Sequence, residues 1–158
     1  MYQPTYESLS THPIPKWFLD AKFGIFSHWT VGSVPAFAPT GKDPFTLARE
    51  EGERKAFSHT PYAEWYWNSI SIPDSPAAEH HARVWGNCDY DVFVRRFLDA
   101  AKGWDPQRWQ HMLAASGAKY CVMVTKHHDG VLMWPSAVPN PHRGSSWSSE
   151  RDLVQECA

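Results

Sequence analysis

The sequence predicts an α/β fold with a parallel sheet assembled from βα units. Three stretches carry that expectation: KFGIFSH (Lys22 to His28), the amphipathic run YDVFVRRFLDAAKG (Tyr90 to Gly103), and AKYCVMVTKHHDG (Ala118 to Gly130). Hydrophobicity in KYCVMVT is continuous rather than alternating, which fits a strand covered on both faces, as strands of parallel sheets are. The order strand, long connection, helices, strand follows from the same geometry, because parallel neighbours need a crossover between them.

In chain order, a proline-punctuated lead-in precedes PKWFLDAKFGIFSHW (Pro15 to Trp29), which reads as a helical turn and then a strand from Lys22 to His28. The next stretch, VGSVPAFAPTGKDPFTLAREEGERKAFSHTP, mixes Pro, Gly and charge without steady periodicity, so it reads as a long loop with at most one short helix. Connections that long inside a compact domain are usually functional or disordered. YAEWYWNSI (Tyr62 to Ile70) then sets four aromatics in six positions beside one carboxylate, Glu64.

In the helix expected over Tyr90 to Gly103, Phe93, Phe97 and Ala101 recur at four-residue steps with Val94 and Leu98 beside them. Asp105 can cap a second helix and Pro106 fits its first turn. Trp109, Met112 and Leu113 form its apolar stripe, and Gly117 suits the position just past its end. A strand from Lys119 to Thr125 and the polar loop WPSAVPNPHRGSSW follow. Ser149 and Asp152 have the spacing of a capping box opening a third helix. Two strands close no sheet, and the chain stops at Ala158 inside that helix, so further strands are expected beyond it.

Composition bounds the function. With 158 residues, 42% of them hydrophobic, the chain can build one core. A net charge of -2 with scattered Lys and Arg leaves no footprint for nucleic acid or an anionic membrane. Cys88, Cys121 and Cys157 form no C-x-x-C pair, so neither a disulfide framework nor a thiolate zinc site is indicated. No basic start followed by an apolar run is present, and no stretch approaches the roughly 18 apolar residues that span a bilayer. The excess is aromatic: 15% of residues, with nine Trp. A Trp offers a wide apolar face and one N–H donor, which suits cores and amphipathic ligands alike.

Ligand sites of barrels and open parallel sheets form at the carboxyl ends of the strands. His28 and Trp29 end the first strand; His127, His128 and Asp129 end the second. Histidine and aspartate are ordinary metal ligands. Adjacent strand residues point to opposite faces, however, so His127 and His128 share a metal only if the strand has already ended. No metal or other cofactor is expected. Neutral imidazoles, a carboxylate and Trp faces together suit a sugar, whose hydroxyls need donors and acceptors while its C–H face lies against a ring. Glu64 and Trp65 complete such a pocket if the long first connection folds over its mouth. Two plainer roles stay open: histidines bonded to neighbouring loops, and a surface Glu64 beside a core Trp65.

These residues resemble the α-L-fucosidases of glycoside hydrolase family 29. The resemblance runs from about Trp17 to Val154 through KFGIFSHW, EWYWNSI, the WDPQRW helix start, GAKYCVMVTKHHDG with the following MWPS, and ERDLV. The segment from Pro35 to Pro61 adds nothing to it. It implies a retaining exo-glycosidase with a (β/α)8 TIM-barrel catalytic domain, usually followed by a small β-sandwich. Residues 1–158 would be the N-terminal portion of that domain, with the first two βα units, the barrel being incomplete in this chain.

Position by position, His28 matches a family histidine that hydrogen-bonds a fucose hydroxyl. Glu64 and Trp65 match a pair that contacts ring hydroxyls and the sugar face, and His127 and His128 match the two histidines of the K-H-H-D-G motif. Asp129 matches a supporting position; Arg151 and Asp152 match a structural helix start. The family's nucleophilic aspartate and its acid/base carboxylate lie on later strands, so no catalytic residue is expected in this chain and Glu64 with Asp129 is not the pair. The implied partner is a fucosylated oligosaccharide or glycoconjugate. The alternatives are a fucose-binding or inert truncated product without catalysis, and a metal-dependent hydrolase built on His28, His127, His128 and Asp129.

Overall fold

The computed structural model describes residues 1–144 and 147–158. Strands β1 (Ile25–Ser27) and β2 (Cys121–Met123) pair in parallel, with Ile25 opposite Cys121, Phe26 opposite Val122 and Ser27 opposite Met123. Both are shorter than the spans expected from sequence. The hydrogen-bonding between the segments nevertheless runs further: Lys119 N–H donates to the Phe23 carbonyl at 2.9 Å, and Val124 N–H to that of Ser27 at 3.0 Å.

Helices α1 (Tyr6–Leu9) and α2 (Lys16–Ala21) precede β1. Between the strands lie α3 (Pro44–Glu51), α4 (Glu53–Ser58), α5 (Tyr66–Ile70), α6 (Pro76–Trp85), α7 (Asp91–Lys102) and α8 (Pro106–Ala115), and α9 (Leu153–Cys157) follows β2. Short 3-10 turns at Val31–Ser33 and Ala63–Trp65 introduce the two halves of the crossover.

The expected long loop is therefore largely helical. Asp43 caps α3 by accepting from Thr46 N–H at 3.0 Å, Pro44 occupies the first position, and Gly52 at φ +90° separates α3 from α4. Helices of eight and six residues are too short to repeat an apolar stripe, which is why periodicity did not reveal them. Helix α6 was not anticipated at all, although its punctuation is complete: Ser75 at the cap, Pro76 next, and Gly86 left-handed at the end.

Helix α7 buries the stripe read from sequence. Phe93, Val94, Phe97 and Ala101 are all inaccessible and pack with Val31, Tyr66, Tyr90, Val131, Met133, Trp147 and Leu153. These partners come from the segments that follow the strands, so the core lies at the strands' carboxyl ends. Helix α8 is capped by Asp105, which accepts from the N–H groups of Gln107 and Arg108 at 3.0 and 3.1 Å, and Gly117 takes φ +87° beyond its end. Its expected stripe is only partly covered: Met112 is exposed, while Leu113 and Trp109 are half-buried, Trp109 reaching the Trp29 and Trp104 rings.

Two further expectations are corrected. Phe26 and Val122 are 65% and 46% exposed, so β1 and β2 are not covered on both faces; with one neighbour each, the strands leave the Phe26 and Val122 side open. The last helix starts at Leu153, later than a cap at Ser149 would place it. Asp152 is the cap, accepting from Gln155 N–H at 2.9 Å, while Ser149 Oγ accepts from Arg151 N–H at 3.1 Å in the preceding turn. No helix among the described residues is long and apolar enough to cross a membrane.

Candidate functional site

Parallel pairing sets the ends of β1 and β2 at one edge of the sheet, and the polar residues follow directly from it. His28 is the residue after β1. His127 and His128 lie beyond β2, in a tight turn closed by Gly130 N–H donating to the His127 carbonyl at 2.9 Å, with Gly130 at φ +78°. The strand has thus ended before them, and the opposite-face argument does not apply.

The third contribution comes from the crossover. Gly32 lies against the 3-10 turn Ala63–Trp65, and a Cβ on it would fall 2.6 Å from the Ala63 carbonyl oxygen and 2.9 Å from Glu64 Cα. A bare backbone at Gly32 is what lets the segment bearing Glu64 and Trp65 approach the end of β1. Glu64 Oε1 then sits 3.0 Å from His28 Nδ1. The Trp65 ring meets His128 edge-on at 5.5 Å and stacks on Phe57 at 6.0 Å. His28 faces His127 at 5.4 Å, and His127 faces His128 at 4.5 Å. All five residues singled out from the sequence meet in one chain of contacts.

A cleft of about 330 Å³ is lined by Glu64, Trp65, Trp67, Asn68, Ser71, His128 and Asp129. That volume is at the lower end of small-ligand pockets. His28 and His127 adjoin the cleft through Glu64 and His128 without lining it. Trp67, Asn68 and Ser71 were missed as site residues, yet they carried a signal: with Glu64 they fall at i, i+3, i+4 and i+7, one face of a helical turn. The turn and α5 supply that face.

Burial governs the electrostatics. Desolvation lowers the His127 pKa, and its neighbour His128 lowers it further while Glu64 opposes both, so His127 is a neutral imidazole at pH 7. The Asp129 carboxyl is pushed up by burial, against Val131 N–H, which donates to its Oδ1 at 2.9 Å. Tyr90 hydrogen-bonds the same carboxyl, stacks on Trp67 at 4.7 Å, and is itself raised far above the ordinary tyrosine range by burial. Trp147 Nε1 donates to the Asp129 carbonyl at 2.6 Å. Asp129 is thus braced by three neighbours beneath the cleft.

Helix α5 is held to α6 by a directional relay. His81 Nε2 lies 2.8 Å from the Cys88 carbonyl, which can only accept, so Nε2 carries the proton and Nδ1 accepts from the Tyr66 hydroxyl at 3.2 Å. The Tyr66 oxygen then accepts from His80 Nδ1–H at 3.3 Å. Burial pushes Tyr66 up to about 12, keeping this donor protonated. The residue after Trp65 is thereby locked in place.

Comparison with known proteins identifies the lineage. A family model described as Alpha-L-fucosidase matches residues 1–158. The chain belongs to the alpha-L-fucosidase family. The family's alpha-L-fucosidase of Dictyostelium discoideum is 34% identical over 152 residues, 94% of this chain and 27% of that protein. The tissue alpha-L-fucosidase of Bos taurus is 34% identical over 158 residues, 98% of this chain and 28% of that protein.

Among solved structures, the Thermotoga maritima alpha-fucosidase in complex with fucose superposes with a TM-score of 0.76 at 40% identity, over 99% of this chain and 34% of that one. These neighbours are alpha-fucosidases whose catalytic domain is a TIM barrel, and the two-stranded parallel sheet agrees with part of such a barrel. The chain spans about a third or less of the length of these family members.

Proposed function

We propose that residues 1–158 are the N-terminal portion of a family 29 catalytic domain, supplying its first two βα units, and that the whole protein hydrolyses terminal α-linked L-fucose with retention. One observation carries this reading. His28, Glu64, Trp65, His127 and His128 converge from three separate segments at the carboxyl edge of a parallel sheet, in a chain 40% identical to an alpha-fucosidase solved with fucose.

In this reading His28, His127 and His128 exchange hydrogen bonds with ring hydroxyls, Glu64 accepts from another, and Trp65 offers its face to the C–H side of the sugar. The partner is a fucosylated oligosaccharide or glycoconjugate, and no cofactor takes part. Retention needs two carboxyl groups about 5 to 5.5 Å apart, one attacking the anomeric carbon and one protonating the leaving oxygen. Of the two carboxylates on the cleft, Glu64 is engaged by His28 and Asp129 by Val131 N–H and Tyr90. Neither stands free to attack, which supports assigning the nucleophile and the acid/base to residues beyond 158.

In the complete enzyme, His28→Ala and His128→Ala should each lower kcat/KM for an aryl α-L-fucoside by the equivalent of about 1 to 3 kcal/mol, one hydrogen bond or more of transition-state binding. Wild-type kinetics in both variants would overturn the assignment of these residues.

A further inference from the structure

His28, Glu64 and His127 each offer one ligand atom, and the three atoms lie within 4.8 Å of one another. This is not the metal set weighed from sequence: Glu64 enters, while His128 and Asp129 drop out. His28 Nδ1 and Glu64 Oε1 are already 3.0 Å apart. Neighbouring donors around a tetrahedral zinc, with bonds of about 2.0 to 2.1 Å, stand about 3.3 Å from each other. No leg therefore needs to close by more than about 1.5 Å, a movement on the scale of a side-chain rotation.

A second observation comes from His127. Its Nδ1 is shut off from solvent and has no hydrogen-bond partner among the described residues. A buried imidazole nitrogen left in that state costs desolvation free energy, and a cation bound at Nδ1 relieves it by taking that nitrogen's lone pair. Two imidazoles and one carboxylate with an open fourth position form a donor set for zinc and its first-row neighbours. Magnesium and calcium prefer oxygen ligands throughout. His28 is exposed, so an ion has a path in.

We propose that a divalent cation of the zinc class binds His28, Glu64 and His127, and that it excludes the sugar when it does. The competitive half rests on the sugar contacts proposed above for the same residues; the binding half rests on the geometry alone. Lone pairs committed to a cation are not available to ring hydroxyls, so the ion acts as an inhibitor and not as a cofactor.

The test is calorimetric titration of zinc chloride into the complete, chelator-stripped protein, with and without L-fucose. One zinc per chain is expected, with affinity falling about tenfold or more in His28→Gln and His127→Gln and holding near wild type in His128→Gln. L-fucose should raise the apparent zinc Kd in proportion to its concentration. Glu64→Gln, which keeps the side-chain shape, gives the same reading if a histidine variant fails to fold. Absence of binding, or affinity indifferent to His28, Glu64 and His127, overturns the site. Zinc binding that fucose leaves untouched overturns the competitive half and with it the sugar placement. Fucose binding that needs His28, in a protein that takes no zinc, removes the metal site and leaves the sugar reading standing.

Discussion

Asp129 was assigned a supporting position from the family resemblance, and its physical burden is visible in the fold. Burial raises its pKa, so the folded state holds a proton more tightly than the unfolded chain does. Its contribution to stability is therefore fully present below the ordinary carboxylate value and is lost as pH rises through the raised one. Asp129→Asn keeps one acceptor oxygen for Val131 N–H, replaces the other with an amide N–H2 that can donate to the Tyr90 oxygen, and removes the charge. It should be at least as stable as wild type at pH 7, with a flatter dependence of melting temperature on pH between 4 and 7. A variant that melts well below wild type at pH 7 would mean that the charge is wanted there, at the cleft, despite its burial.

At the scale of elements, the joint between α5 and α6 sets where Glu64 and Trp65 stand. Ser75 is fully buried; its hydroxyl donates to the Ser69 carbonyl at 2.6 Å and accepts from Ala78 N–H at 3.0 Å. It closes α5 and opens α6 with one oxygen. Ser75→Ala should cost about 1 to 2 kcal/mol in urea unfolding, since the N-cap of α6 and the bond to Ser69 both go while the Ser69 carbonyl keeps Ile72 N–H. A loss under half a kilocalorie would show that other contacts hold the joint.

The end of α7 is closed from a distance. Arg151 Nη1 donates to the carbonyls of Ala101, Lys102 and Trp104 at 3.0, 2.8 and 3.0 Å, while its Nε reaches Glu156 at 3.1 Å. Arg151→Ala should lower the melting temperature, and Arg151→Lys should not restore it, because an ammonium has no planar fork to serve the carbonyls and the carboxylate together. The family resemblance makes Arg151 and Asp152 a structural helix start, and Asp152 does cap α9. The three carbonyls lie about 50 residues away along the chain, so no local pattern points to them.

For the whole molecule, the uncovered side of the sheet is the largest departure from expectation. KYCVMVT reads as buried on both faces, yet Val122 and its partner Phe26 are exposed, as are Trp17 and Phe18. Under the proposed function the rest of the barrel covers them. Expressed alone, residues 1–158 should bind an apolar dye strongly and scatter light on warming, while the complete protein should do neither. Cooperative unfolding of the isolated chain without dye binding would remove this support for a continuing barrel.

Residue types and strand hydrophobicity are local properties, so the sequence by itself determined the parallel-strand α/β pattern, the cap at Asp105 and the buried stripe of α7, and it singled out His28, Glu64, Trp65, His127 and His128 as candidates. Short helices such as α3 and α4 left no periodic trace, and α6 was punctuated but unread. Only the tertiary structure decided that His28 meets Glu64, 36 residues on, and that His127 joins them. Parallel pairing sets two strand ends side by side, and the missing side chain of Gly32 lets a third segment close in. Both are contacts between distant parts of the chain, and no local pattern encodes them.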